Sequence, residues 1–317
     1  MRKLYGANVL MSTNGMSEEE WVQHRRAGIG GSDLGGILGV SPYSSPLSIW
    51  LAKVEGYQKP VGRAAHRGRM CEAWISDEAA KRNGWKVKRV NAILQHPEHH
   101  WMLANIDRII VAPELAISEI KMINSTSREK MVLESGVLPE HELQCRWYMA
   151  VLDIGKCYIT YDLPNNDPID ILITRDLEFE EHAISACRNF WELVESNQPP
   201  ALDGSEDAGE WLKRRFNNPT EGHVDLPTEA AFLALQYQSA HNTIREAETT
   251  KELAKQKLEV MLGNKTWGRV DGYEISWKPL TTNRLDTDRL KKERPDLVKE
   301  YTKPTESRRF SIKEIKA

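Results

Sequence analysis

MLANIDRIIVAPELAISEIKM, residues 102–122, holds two apolar runs that read as adjacent strands, with Asp107 closing the first and Glu119 inside the second. Alternate residues of a strand point to one face, so Glu119 and Lys121 project together while Ile120 turns into the core. An Asp and a Glu converging on one point are hard oxygen ligands suited to Mg²⁺. A lysine beside them orients or deprotonates a water and offsets phosphate charge. Together they suit metal-assisted hydrolysis of a phosphodiester. Glu-x-Lys alone is a cheap pattern in a chain that is 28% charged, and it recurs at Glu314-Ile315-Lys316. That copy has no strand run before it and reads as a solvated tail.

Working outward, the 317 residues suit two domains, or one domain with an extension. No run approaches the ~20 apolar residues of a membrane span, and the first residues lack a signal-peptide pattern. The four cysteines form no CxxC pair and are too evenly scattered for an iron–sulfur cluster, which fits free thiols in a reducing cytoplasm, bacterial or phage-infected. The net charge of −3 hides an uneven distribution. Residues 59–89 carry nine Lys/Arg against three acids, and residues 265–317 carry fourteen against nine. Two basic regions on an acidic body fit local contact with phosphate.

Ser17-Glu18-Glu19-Glu20 is a capping box that opens a helix through about Arg26. The Gly28–Asp33 turn, with Ser32 or Asp33 as N-cap, starts the next helix. Helices follow around Ile49 and Trp50 and again through Glu72 to Asn83-Gly84. Three or four strands lie between Trp85 and Met122, then helices over 126–134 and 139–152, strands at 157–161 and 169–174, and a helix over 177–195. This order predicts an α/β core, a mixed central sheet flanked by helices. Polar residues 201–224 read as a linker, dividing a core at 1–222 from an extension at 223–317. In the extension Leu233, Tyr237, Ala240, Ile244, Ala247, Ala254, Leu258 and Met261 follow a 4-3 spacing, broken at Lys251, on one long helix. A hairpin over 266–278 turning at Asp271-Gly272 and a basic helix complete the chain.

Five motifs then stand in one order: HRRAGIGGSD at 24–33, GRMCE at 68–72, Asn105-Ile106-Asp107, Glu119-Ile120-Lys121 and Leu143-Gln144. Over residues 17–165 this set resembles the YqaJ-type viral recombinases, phage lambda exonuclease-like members of the PD-(D/E)xK nuclease superfamily with its restriction-endonuclease-like core. Ile106 stands where the superfamily name has proline, at a position that is not a ligand. The extension beyond about 222 exceeds the compact phage lambda enzyme.

The resemblance implies that Asp107, Glu119 and the Ile120 carbonyl hold Mg²⁺, with Mn²⁺ able to substitute. Glu72 completes the site around a second ion or through water. Lys121 positions the attacking water, and Gln144 holds that water or the scissile phosphate. Arg25 and Ser32 resemble the family's anchors for a terminal 5′-phosphate. A guanidinium forks onto phosphate oxygens, and a serine at a glycine-rich helix start offers a hydroxyl beside free N–H groups. The implied activity is 5′→3′ digestion of linear double-stranded DNA from free ends, leaving 3′ single strands. The implied partners are a single-strand annealing protein and two further copies in a ring-shaped trimer. No membrane partner is implied, and without a Walker-type glycine loop no nucleotide cofactor is expected. A structure- or sequence-specific endonuclease on this fold, and a catalytically silent DNA-binding scaffold, are the alternatives. The intact set Glu72, Asp107, Glu119 and Lys121 argues against silence. His96, His99 and His100 lack a fourth zinc ligand and read as a turn between strands. Trp21, Trp50, Trp74, Trp101 and Trp147 read as core in preference to base-stacking platforms.

Overall fold

The computed structural model describes residues 2–57, 62–303 and 308–313. The second Glu-Ile-Lys, at 314–316, lies outside them. The chain separates into two compact units, Met1–Arg215 and Phe216–Ala317.

The first unit begins with two strands that the sequence pattern does not announce, β1 (Lys3–Leu4) and β2 (Ala7–Ser12). Helices α1 (Glu18–Arg25), α2 (Gly31–Ile37), α3 (Pro46–Val54) and α4 (Arg63–Asn83) follow. Strands β3 (Lys86–Arg89), β4 (Ala92–Gln95), β5 (Leu103–Ala104), β6 (Arg108–Ala112) and β7 (Ala116–Met122) come next. Helices α5 (Thr126–Ser135) and α6 (Pro139–Leu152), strands β8 (Lys156–Asp162) and β9 (Ile169–Thr174), and helices α7 (Leu177–Glu195) and α8 (Glu206–Arg215) complete the unit.

Two sheets result. The larger has the order β3-β6-β7-β8-β9 and the smaller β1-β2-β4-β5. In the larger sheet β3, β6 and β7 run antiparallel, β7 and β8 parallel, and β8 and β9 antiparallel. A parallel neighbour needs a crossover, here supplied by α5 and α6. Strand β7 is buried from Ala116 to Ile120. A strand buried along its whole apolar run needs cover on both faces, and α4 and α6 both pack against it. The expected mixed sheet flanked by helices is therefore the observed core.

Local chemistry explains the element starts. Ser17 and Glu20 bond reciprocally, Ser17 N to Glu20 Oε2 at 2.9 Å and Glu20 N to Ser17 Oγ at 3.2 Å. The next helix differs from expectation: Gly30 is its N-cap, and Asp33 reaches back to accept from Gly30 N at 2.9 Å. Ser32 and Asp33 both lie inside the first turn. The 201–224 linker is also corrected. Its middle forms α8, which buries Ala208 and Trp211, and Trp211 Nε1 donates to Glu55 Oε1 at 3.3 Å. Trp50, Trp101 and Trp147 are core residues, whereas Trp74 is exposed. His96–His100 form the expected turn, with His96 stacked on His99. The cysteines are free, and three of them are buried.

In the second unit α9 spans Glu229–Leu262 and buries none of its residues, the 4-3 seam included. The hairpin forms as predicted from β10 (Trp267–Val270) and β11 (Tyr273–Ser276), with Gly272 at φ 80° in the turn. The single basic helix expected at the end is two, α10 (Thr287–Glu293) and α11 (Pro295–Tyr301), because Pro295 cannot continue the first. Among the described residues no helix is long and apolar enough to cross a membrane.

Candidate active site

Asp107 stands one residue before β6, so it opens that strand and does not close the preceding run. Antiparallel pairing of β6 with β7 begins at Arg108↔Ser118 and proceeds away from Asp107. Beyond Ser118 the edge of β7 facing β6 is released from the ladder. There Ile120 N donates to Asp107 Oδ2 at 3.3 Å. In a strand the carbonyl leaves on the same edge as the N–H of its residue, which turns the Ile120 oxygen toward Asp107. Glu119 and Lys121 flank Ile120 on the other side of the pleat, as alternation requires.

Glu119 is 2% exposed. Its Oε1 accepts from Lys121 Nζ at 2.7 Å and from Gln144 Nε2 at 2.8 Å. Gln144 Oε1 accepts a second proton of Lys121 Nζ at 2.9 Å, and its Nε2 also donates to Tyr148 Oη at 2.9 Å. The amide is thereby fixed: its NH₂ must face the carboxylate and its oxygen the ammonium. The other carboxylate oxygen of Glu119, Oε2, is buried without a partner. An orphaned carboxylate oxygen is expensive to bury and is the donor a cation would satisfy.

The electrostatics point the same way. Burial, then the Glu119 and Glu72 carboxylates, push Asp107 well above the usual carboxylate range against the opposing pull of Lys121. Burial raises Glu119 as well, although Lys121 resists. Burial lowers Lys121, but Glu119 and Asp107 overcome it and the ammonium is held above its ordinary value. Two neighbouring carboxylates held above their ordinary range, chiefly by burial and further by nearby carboxylates, would be relieved by a cation. The residues fit a hard divalent ion through Asp107, Glu119 and the Ile120 carbonyl. Among the described residues no three His, Cys, Asp or Glu side chains form a ready cluster for one. Glu72 projects from α4 to Arg108 Nη1, 3.2 Å away, and Arg108 also donates to the Asp107 carbonyl at 2.8 Å.

The same cleft, about 1260 Å³, is lined by Arg25, Ser32, Glu72, Asp107, Lys121 and Gln144. Arg25 Nη2 donates to Ser32 Oγ at 2.7 Å and to Asp33 Oδ1 at 3.2 Å. The corner is pinned to the catalytic stretch by Ile29, whose N donates to Trp101 O at 2.6 Å and whose O accepts from Leu103 N at 2.9 Å. Gly31 lets α2 approach α6, since a Cβ there would lie 2.6 Å from Tyr148 Cε1. Arg69, Arg89 and Arg128 also line the cleft. The rest of the 59–89 basic run is partly structural, with Lys81 on Glu78 at 2.8 Å and Arg82 on Asp170 at 2.6 Å.

Arg25, Ser32, Glu72, Asp107, Glu119, Ile120, Lys121 and Gln144, the residues expected to form the site, thus line one cleft. Arg108, Tyr148, Asp33, Lys53 and His141 join them without having been singled out. Each reaches the site through tertiary packing, and only two carried a local signal, Asp33 as the last residue of the 24–33 motif and Arg108 as the neighbour of Asn105-Ile106-Asp107.

A mixed sheet with an acidic residue at a strand mouth, a Glu-x-Lys on the adjoining strand and a glutamine from α6, the second helix of the crossover, is the arrangement of the PD-(D/E)xK-like fold. The chain belongs to the YqaJ-like viral recombinase family, whose domain matches residues 20–155. It is 35% identical over 319 residues to the uncharacterized protein YqaJ of Bacillus subtilis (strain 168), covering 98% of each. Among solved structures, the alkaline exonuclease LHK-Exo from Laribacter hongkongensis aligns with a TM-score of 0.49 at 19% identity, over 63% of this chain and 98% of that one. A phage-related exonuclease from Haemophilus somnus 129PT aligns with a TM-score of 0.40 at 15% identity, over 54% and 96%.

Proposed function

We propose that this protein is a Mg²⁺-dependent exonuclease that digests linear double-stranded DNA 5′→3′ from phosphorylated ends, leaving 3′ single strands for annealing-type recombination. The observation that carries the reading is Glu119: one oxygen accepts from Lys121 and Gln144, and the other is buried without a partner. Asp107, Glu119 and the Ile120 carbonyl would hold the cation, with Glu72 reaching it through water or a second ion. When bound, Mg²⁺ or Mn²⁺ neutralises charge at the scissile phosphate and makes a water more acidic. Lys121, fixed by two acceptors, orients the attacking water and offsets the charge that develops on the phosphate. Gln144 steadies Glu119 and Lys121 together and holds the water or the phosphate between them. Arg25 and Ser32 take the terminal 5′-phosphate by charge-assisted hydrogen bonds.

The expected partners are duplex DNA with free ends, a single-strand annealing protein, and two further copies in a trimer. The working compartment is the cytoplasm of a bacterium or a phage-infected host, and the core and extension divide near residue 222. The reading is tested by digesting duplexes labelled at either the 5′ or the 3′ terminus of one strand. Early release of the 5′ label in Mg²⁺, and of neither label in chelator, is expected. Early release of the 3′ label would reverse the polarity, and release in chelator would remove the metal.

A further inference from the structure

Lys53, from α3, lies among three elements with its side chain 5% exposed. Its Nζ donates to Asp33 Oδ2 at 2.6 Å and to the Arg25 carbonyl at 3.0 Å. Arg26 closes the corner from the other side, with Nε donating to Lys53 O at 3.0 Å and Nη2 to Val54 O at 2.8 Å. Of the three cations in the corner, Arg26 is turned to backbone carbonyls, whereas Arg25 and Lys53 both face one carboxylate, Asp33. The carboxylate is closer to Lys53, at 2.6 Å, than to Arg25, at 3.2 Å.

A buried ammonium is a costly way to staple helices. A methionine of similar length would fill the space without desolvating a charge. The charge does something an apolar residue cannot. If Asp33 faced Arg25 alone, the two would form a closed ion pair, and the guanidinium would be neutralised before any anion arrived. With Lys53 on Asp33, the charge of Arg25 is left uncompensated, and Arg25 is the more exposed of the two cations that face Asp33. The Arg25 side chain is 30% exposed, and among the described residues its Nε and Nη1 make no hydrogen bond.

Resting on the reading that Arg25 takes a terminal phosphate, we infer that Lys53 is a positioning residue: by occupying Asp33 it keeps the charge of Arg25 available to the 5′-phosphate, and so sets the preference for phosphorylated ends. Asp33 then serves as a hydrogen-bonding rest for the guanidinium and not as its counter-ion.

The test compares digestion rates on 5′-phosphorylated and 5′-hydroxyl duplexes, with folding checked by thermal melting. Lys53→Met should lower the phosphate/hydroxyl rate ratio at least ~10-fold, because Asp33 then closes on Arg25. The double variant Asp33→Asn/Lys53→Met should restore that ratio to within about threefold of wild type, since the amide still accepts a hydrogen bond but no longer neutralises Arg25. Because removing both members of a buried ion pair can restore stability on its own, the ratio is compared only among variants that melt as the wild type does. Asp33→Asn alone should keep or raise the preference, and this arm decides the matter if Lys53→Met does not fold. An unchanged ratio in folded Lys53→Met, no recovery in the folded double variant, or a lost preference in folded Asp33→Asn would each overturn the inference while the role of Arg25 stands. No 5′-phosphate preference in the wild type, or a preference that survives Arg25→Ala, would overturn the role of Arg25 and the inference with it.

Discussion

Glu119 accepts two hydrogen bonds on one oxygen and none on the other, and the chemistry of the cleft follows from that asymmetry. The network around it is made of single-purpose groups: an ammonium that only donates, a carboxylate that only accepts, and an amide that joins them. His141 belongs to the same neighbourhood and behaves differently. Its Nδ1 lies 3.0 Å from Tyr161 Oη, and burial, then Lys121 and Arg128, lower its pKa to about 2. It is therefore neutral in the folded protein and ready to charge once unfolded. The folded value lies below the unfolded one near 6.5, so the unfolded state takes the proton first and stability is lost as pH falls below that point. The loss from this group should run at ~1.4 kcal/mol per pH unit below 6.5. Denaturant titrations between pH 7 and 5 should show this slope in the wild type and a shallower one in His141→Gln. Parallel slopes would mean that the imidazole is not held neutral.

At the scale of elements, the site depends on how closely helices approach each other and the sheet. The Asp107…Glu119-x-Lys121 pattern was legible because the chemistry needs those residue types within one short pair of strands. Lys53 and Tyr148 were not legible, because α3 and α6 bring them to the cleft across long stretches of chain. The first two strands were missed because they are short and broken by a turn at Tyr5-Gly6. Helix α8 was hidden by polar composition, although Ala208, Trp211 and Leu212 already had helical spacing. The glycines separate packing from propensity. A Cβ on Gly31 would meet Tyr148 Cε1 at 2.6 Å and Gln144 Cγ at 3.1 Å, whereas one on Gly68 in α4 would meet nothing within 4 Å. Gly31→Ala should therefore lose ~1–3 kcal/mol by overpacking and slow cleavage by displacing Gln144. Gly68→Ala should gain ~0.5–1 kcal/mol from helix propensity. Melting curves check both, and equal shifts would contradict the close packing of α2 on α6.

At the scale of the whole molecule, the first unit holds every residue of the candidate site. The second holds a 34-residue helix with no buried residue and a basic C-terminal segment. Such a helix is not stabilised by propensity alone, so its seam is expected to dock on the nuclease core or on a neighbouring copy and to add to the grip on duplex DNA. A chain ending near Gly222 should keep metal-dependent cleavage of short DNA. Its duplex binding should be weaker, with the salt slope reduced by ~0.9 for each phosphate that the shortened chain no longer neutralises. Binding measured across a salt series checks this. A folded but inactive shortened chain would place part of the active site in the extension.

Glu119 and its partners are proposed to cut DNA from its ends with a divalent cation. The most direct test is incubation of the full-length protein with linear and covalently closed circular duplex of the same sequence, with Mg²⁺ and with chelator, beside Lys121→Ala. Digestion of the linear duplex in Mg²⁺ alone, a circle left intact, and a rate at least ~100-fold lower in the folded variant are expected. Digestion in chelator, full activity in Lys121→Ala, or rapid cutting of the closed circle would contradict this proposal.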